Sequence, residues 1–426
     1  MRSRHRTVAG PRTSSRRRSA RTTAAPVPTG RPPWAGLAVG LILTACSSTP
    51  GVKIEIDHAS IARYRDAGYT HRVDEGVIRQ RVGAPDSLAA WHVTLVSLPG
   101  GSLRPLIVYL PALGDGDDTP CRWEDVWARA GYAVLAVQAL DEDARVWSTE
   151  SARSGDFEQV ARSRFTDELM DQRLARLAHL LAQLRQRTQS GAAELAGLDW
   201  ARLALAGADL GAYTVQTIAT LTADRRAELG WPVQPRGYVA ISPHGRSTPG
   251  PASAATPASA PVLMISSRDD VDAYGVITDV ALRHQAFDRL AGGDDYYLEF
   301  ASASHRWLAG VAPAAAAEAP VHRASPARQS GPPNRGAGAD RLAPAEDDEL
   351  SPEARARAVA GRAEREAQAA RLLGRQLTQL EMSEIGFEDV TLAFFDAHLR
   401  QDPRAGRWLA EQAADWLKNG DRIKHR

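Results

Sequence analysis

Two hydrophobic rhythms alternate along this chain from residue 91 onward. Trp91 to Leu98, WHVTLVSL, is apolar at every second position, the pattern of a half-exposed strand. Leu106 to Leu110, LIVYL, is apolar without interruption, as expected of a strand buried on both faces of a parallel sheet. Trp123, Val126 and Trp127 then recur at helical spacing, and Gly131 supplies a stop. Tyr132 to Val137, YAVLAV, is the next buried strand. Strand, helix and strand in this order make a βαβ unit, which requires parallel pairing. Glu168 to Leu184 places Met170, Leu174, Leu177, Leu181 and Leu184 on one helical face. Further strands are predicted at Leu203–Ala206, Gly237–Ser242, Pro261–Ser266 and Tyr296–Phe300. Helices are predicted at Ala212–Leu221 and Val276–Leu290. This alternation predicts an α/β fold built on a doubly wound, mostly parallel sheet.

Outside that region the rhythm fades. Residues 46–90 read as a tether and polar N-terminal extension holding one short strand or helix. Residues 312–352 are rich in Ala, Pro, Gly and Arg without apolar period, so they read as a disordered insertion. Residues 353–426 read as C-terminal helices that complete the 91–311 core. Within them 353–380 is helix-prone but polar, whereas Phe387 to Leu399 presents Phe387, Val390, Phe394 and Ala397 on one side.

Composition changes the picture mainly at the N-terminus. The 426 residues carry a net charge of +1, which gives the folded part no electrostatic reason to bind nucleic acid. An Arg-rich start followed by the short apolar run Ala35–Ala45 reads as a signal peptide over residues 1–45; the run is too short to span a membrane. Its ending, Leu43-Thr44-Ala45-Cys46, resembles a bacterial lipobox. The resemblance implies cleavage before Cys46, lipid on its thiol, and a chain tethered to a membrane of the cell envelope, with outer-membrane sorting favoured by Ser47. Cys121 then remains the lone thiol, so no intrachain disulfide is expected and a structural role is assigned.

The candidate chemistry centres on Arg202–Thr214, RLALAGADLGAYT. A strand runs into Gly207-Ala208-Asp209-Leu210-Gly211, and a helix follows. This is the context of a nucleophile elbow, G-x-S-x-G, with Asp209 where serine is expected. Asp269 follows the next-to-last predicted strand and His305 the last. A histidine there can reach the elbow, and a carboxylate one strand away can orient it. Asp270 and Asp272 are neighbouring candidates for the same orienting role.

The sequence resembles α/β-hydrolases of the dienelactone hydrolase and platelet-activating-factor acetylhydrolase type. The resemblance rests on PLIVYLPALG, GYAVLAVQ, DWARLALAGADLGAYT, PVLMISSRDD, SASHRW and VTLAFFDAHL, and spans about Arg104 to Leu409 without the insertion. It implies the α/β-hydrolase fold, with Asp209, His305 and Asp269 in the nucleophile, base and acid positions. Backbone donors from Ala112, Leu113 and Leu210 would form the oxyanion hole. In that loop Pro111-Ala112-Leu113-Gly114 replaces the His-Gly usual in such proteins. No cofactor and no metal are expected, and the partner is a small-molecule substrate.

Asp209 leaves three readings open. It can attack an sp³ carbon, as in haloalkane dehalogenases and epoxide hydrolases, although Leu210 stands where those relatives usually have Trp. The site can be inactive, leaving a binding or envelope module. Or an ester- or amide-like bond can be hydrolysed by another route, with His305 activating water or Asp209 acting as the base. Ser242 lacks the glycine pair of an elbow, and His244 reads as a turn residue. Asp115, Asp117 and Asp118 lack Ca²⁺-loop spacing and read as a solvated turn.

Overall fold

Among the described residues of the computed structural model, nine strands form a single mixed sheet. The structure describes residues 53–83, 89–116, 121–245, 257–311, 351–417 and 419–426. The leader, Cys46, Asp117, Asp118 and nearly all of the 312–352 insertion therefore lie outside the described residues. The described residues belong to one compact unit.

The strands are β1 (Ile78–Arg81), β2 (Trp91–Ser97), β3 (Arg104–Leu110), β4 (Ala133–Ala139), β5 (Leu198–Ala208), β6 (Tyr238–Ile241), β7 (Val262–Ser267), β8 (Tyr296–Phe300) and β9 (Arg422–His425). Their spatial order is β1-β2-β4-β3-β5-β6-β7-β8-β9. The six strands from β4 to β8 are mutually parallel, and β1, β2 and β9 add antiparallel pairs at the edges. The βαβ expectation holds: β3 and β4 are parallel, and the helix between them provides the crossover.

The main helices are α1 (His58–Asp66), α2 (Arg122–Arg129), α3 (Glu150–Arg153), α4 (Phe157–Arg164), α5 (Asp167–Gln189), α6 (Leu210–Ala219), α7 (Ala223–Glu228), α8 (Ala281–Asp288), α9 (His305–Leu308), α10 (Pro352–Leu399) and α11 (Pro403–Arg407). Alternate strand residues feed two core layers. Ile107 and Tyr109 pack with Trp123, Trp127, Phe394 and Phe395 on one face. Leu106, Val108 and Leu110 pack with Leu174, Leu177, Leu181 and Val215 on the other.

Two differences from the sequence reading have simple causes. The N-terminal extension holds both a helix, α1, and a strand, β1, where one short strand or helix was expected, and β9 was not expected because RIKH, like IRQR in β1, carries no apolar run. As edge strands they need no buried face, and charged side chains there discourage further pairing. The polar stretch after Pro352 and the Phe387–Leu399 helix are one continuous helix of 48 residues. Its C-terminal part is held by Phe387, Val390 and Phe394 in the core. Its earlier part leans on the N-terminal segment at Gly374, where a Cβ would strike the Glu55 backbone, while Leu372 and Leu373 remain exposed.

Candidate active site

The turn from β5 into α6 gathers the site. Asp209 sits at φ 50°, ψ −111°, a backbone region that a side chain makes costly. Its N–H donates to the Ile241 carbonyl at 3.0 Å, and its own carbonyl accepts from Tyr213 N at 2.9 Å, so β6 and α6 hold the strained residue in place. The flanking glycines are required by space. A Cβ on Gly207 would strike the Gly211 backbone, and one on Gly211 would strike the Leu110 carbonyl. Helix, turn and β3 can approach this closely only without those side chains.

The loops after β3, β7 and β8 converge on this turn, at the carboxyl ends of the parallel strands. Leu113, in the loop after β3, donates its backbone N–H to Asp209 Oδ2 at 3.3 Å. His305 opens α9, whose N-cap Ser304 accepts from Trp307 N at 3.2 Å. The loop before it is stapled to β7 by the Ser267 hydroxyl, which donates to the Ala303 carbonyl at 2.7 Å and accepts from Ala303 N at 3.0 Å. This places His305 Nε2 3.7 Å from Asp209 Oδ1, too long for a hydrogen bond and short enough for strong electrostatic coupling.

The residue behind His305 is Asp270. Its Oδ1 lies 2.7 Å from His305 Nδ1. Asp269, the acid assigned from the sequence, is one residue off: it turns outward and its Oδ2 accepts from Ser302 Oγ at 2.7 Å. The cause is local geometry. The Asp269 N–H is bound by Ser267 Oγ, so the chain turns immediately after β7 and the next carboxylate faces inward. Asp270 is fully buried and saturated with donors: Ser242 Oγ at 3.1 Å, Ser266 Oγ at 2.8 Å and Arg283 Nε at 3.1 Å.

Arg283 was not singled out from the sequence, because an arginine in an amphipathic helix ordinarily reads as a solvated position. Here α8 buries it to 1% exposure. Its guanidinium donates to the carbonyls of Asp270 at 2.8 Å, Ser242 at 2.8 Å and Pro243 at 3.1 Å. It thus ties the ends of β6 and β7 together beneath the histidine. Ser242, at φ 56°, is committed to this network and is 1% exposed.

The electrostatics follow from this packing. Burial raises the Asp270 carboxyl, but the bond to His305 and the charge of Arg283 outweigh it and hold the pKa below the usual range. An ionised Asp270 can only accept, so Nδ1 of neutral His305 carries the proton and Nε2 offers its lone pair toward Asp209. For the imidazole, burial pulls the pKa down, while the Asp270 hydrogen bond and charge, with Asp209, bring the net shift upward. Burial and then the charge of Asp209 raise Asp272 as well.

Asp115, expected in a solvated turn, is half-buried beside this cluster. Burial, followed by the Asp209 charge, pushes its carboxyl up to about 7. A folded-state pKa raised above the unfolded one means the folded state holds the proton more tightly. That contribution to stability is complete below the unfolded value of about 4 and is lost as pH rises to about 7. Asp115→Asn is therefore expected to be more stable than the parent above pH 7, by about 1 kcal/mol or more, with the difference vanishing near pH 4. Denaturant midpoints across that range test it; equal midpoints at pH 8 would contradict the assignment.

An aromatic wall stands over the same edge. Trp147 and Tyr274 pack at 4.2 Å between ring centroids, with Phe157 at 6.1 Å from Trp147. Gly114 makes room for the indole, since a Cβ there would collide with it. Arg162 of α4 donates to the Gly275 carbonyl at 2.8 Å and links the two halves of the wall. The remaining candidates sit elsewhere or play other parts. The Ala112 N–H faces the Asp115 carboxylate, and Leu210 is buried as the first residue of α6. His244 stacks on Phe165 and meets Tyr213 at a tilt, each with ring centroids 4.8 Å apart. Cys121 is buried against Tyr109 and Ala309, and burial raises its thiol pKa to about 12, which makes it unreactive.

No protein-family model and no curated protein matches this chain. Among the described residues, no group of three or more His, Cys, Asp or Glu is arranged to hold a metal ion. Among the same residues, no helix is long and apolar enough to cross a membrane.

Proposed function

We propose that this chain is an α/β-hydrolase-fold enzyme that cleaves a small-molecule substrate through a covalent ester on Asp209. The observation that carries the reading is the division of labour between the two Asp209 oxygens. Oδ2 is held by the Leu113 N–H, and Oδ1 points toward His305 Nε2.

The chemistry follows from that division. Oδ1 attacks an electrophilic sp³ carbon; the new C–O bond forms as the bond to the leaving group breaks, and the leaving group departs with the electron pair. Water then enters between the ester and His305. Nε2 takes its proton and the oxygen attacks the Asp209 carboxyl carbon. The charge that develops on Oδ2 stays on the Leu113 donor already in place. Collapse passes the proton from Nε2 to the departing oxygen, so an alcohol is released; the second proton of the water is lost to solvent, which restores the carboxylate. Attack on an ordinary ester carbonyl would instead give an anhydride, a poor intermediate, so alkyl halides and epoxides are the preferred substrate classes.

Oxygen labelling tests the scheme. In H₂¹⁸O with excess enzyme, the first-turnover alcohol should carry unlabelled oxygen from Asp209, and ¹⁸O should enter the carboxylate. Label appearing in the alcohol at the first turnover would mean direct attack by water, the alternative in which Asp209 is not the nucleophile.

The reading includes an envelope location through lipid on Cys46. A radiolabelled fatty acid should be incorporated into the expressed chain and lost in Cys46→Ser. Equal labelling of that variant would refute the anchor.

A further inference from the structure

We infer that the part of α10 from Val359 to Leu373 is a membrane-contact surface, lying along an anionic bilayer that also receives a lipid on Cys46; the choice of a bilayer as occupant rests on the lipid-anchor reading. Between Glu353 and Ala369 no described side chain of this helix is buried. Helices in proteins draw most of their stability from packing one face, and this stretch has no such packing. Its exposed ion pairs, Glu353–Arg357 at 3.9 Å and Arg362–Glu366 at 4.0 Å, add little. A surface covering one side supplies the missing support.

Exposed apolar side chains, charge and the reach of the tether point to a bilayer. Of the eight large apolar side chains exposed among the described residues, four lie on this arm or on the segment beside it: Ile54, Val359, Leu372 and Leu373. At about 100° per residue, Val359, Arg362, Arg365, Ala369, Leu372 and Leu373 fall within an arc of about 140°. Apolar side chains interleaved with arginine suit the boundary between headgroups and acyl chains. Glu366, the acid on that face, is the partner of Arg362. Between Val359 and Arg375 the helix carries four arginines and two glutamates, a surplus that favours anionic headgroups. The N-terminal segment braces the other side of the helix: a Cβ on Gly374 would strike the Glu55 backbone, and Thr378 Oγ1 accepts from Asp57 N at 3.0 Å. That segment also fixes where the tether leaves the fold. Ser47 to Val52 separate Cys46 from Lys53, and such a linker spans at most about 25 Å, roughly twice the diameter of a helix. A lipid on Cys46 therefore holds the bilayer within that distance of Lys53, where α10 is the adjoining element.

Co-sedimentation with vesicles tests this, using the chain from residue 46 onward with Cys46→Ser, so that no attached lipid contributes. Binding to vesicles of phosphatidylglycerol and phosphatidylethanolamine is expected, about tenfold or more tighter than to vesicles of phosphatidylcholine alone. Leu372→Ser combined with Leu373→Ser should weaken it about tenfold. Both side chains are exposed, at 47% and 40%, so the fold does not depend on them. Arg362→Glu combined with Arg365→Glu should remove the preference for anionic vesicles. Leu103→Ser, at an exposed leucine just ahead of β3, should bind like the parent. Absence of binding, equal binding to both vesicle types, an equal loss in the Leu103 variant, or a leucine-dependent dimer that leaves vesicles unbound would overturn the assignment. Fatty-acid labelling reports on Cys46 alone, so failure of the anchor and failure of this surface are told apart.

Discussion

Replacing Asp209 by glycine is expected to abolish turnover and to raise the melting temperature at the same time. The loss of activity follows from the removal of both the attacking oxygen and the oxygen held by Leu113, and should amount to about a thousandfold or more. The gain in stability follows from the backbone. Asp209 holds φ 50° and ψ −111°, where strain costs about 1–3 kcal/mol for a residue with a Cβ. Glycine removes that strain, and it also removes a negative charge that opposes ionisation of Asp115 and Asp272. Against this stand one long hydrogen bond, about 1 kcal/mol, and the extra backbone entropy of glycine, about 0.5–1 kcal/mol. Strain and charge relief together outweigh these losses by up to about 1 kcal/mol at neutral pH, which corresponds to a rise of up to about 2 °C. Thermal melts by circular dichroism at pH 7.5 measure it. A lower melting temperature would show that the turn is comfortable with its aspartate and that strain is not being held at the site.

His305→Gln should separate the two halves of the proposed reaction. The first half needs only the Asp209 carboxylate, so one equivalent of leaving group should appear as a burst. The second half loses its base, and steady turnover should fall about a hundred- to ten-thousandfold. The ester should then accumulate on Asp209 and be visible as a mass increment on its peptide. A variant that turns over at the parent rate, or that shows no increment after a burst, would place the chemistry elsewhere. In the parent chain the proposed step requires neutral imidazole. Asp270 and Asp209 outweigh burial and raise its pKa, so turnover should rise with pH through a value above the ordinary histidine range. Removing the Asp270 charge should move that limb to lower pH.

Much of the architecture could be read from the chain. Parallel pairing of β3 with β4, the β5–α6 turn and the strand ending before His305 all follow from apolar runs and glycine placement. The reason is that a parallel strand is buried on both faces, and such burial leaves a continuous apolar signature. The glycines at 207 and 211 announce themselves because nothing larger fits between the turn and the backbones it meets, that of Gly211 for Gly207 and that of Leu110 for Gly211.

The details that give the site its chemistry left no such signature. Asp269 and Asp270 are adjacent carboxylates, and only the turn pinned by Ser267 decides which faces His305. Arg283 reads as a surface residue until α8 folds it beneath the ends of β6 and β7. Asp115 reads as a solvated turn until the loop after β3 brings it to Asp209. The wall of Trp147 and Tyr274 joins segments more than a hundred residues apart. By itself the sequence determined the parallel core of the sheet, its turn and the place of Asp209 and His305, because those depend on local period and local space. Tertiary structure alone decided the partner of the histidine, the buried arginine behind it and the charges around it, because direction of a side chain and desolvation are set by neighbours distant in sequence.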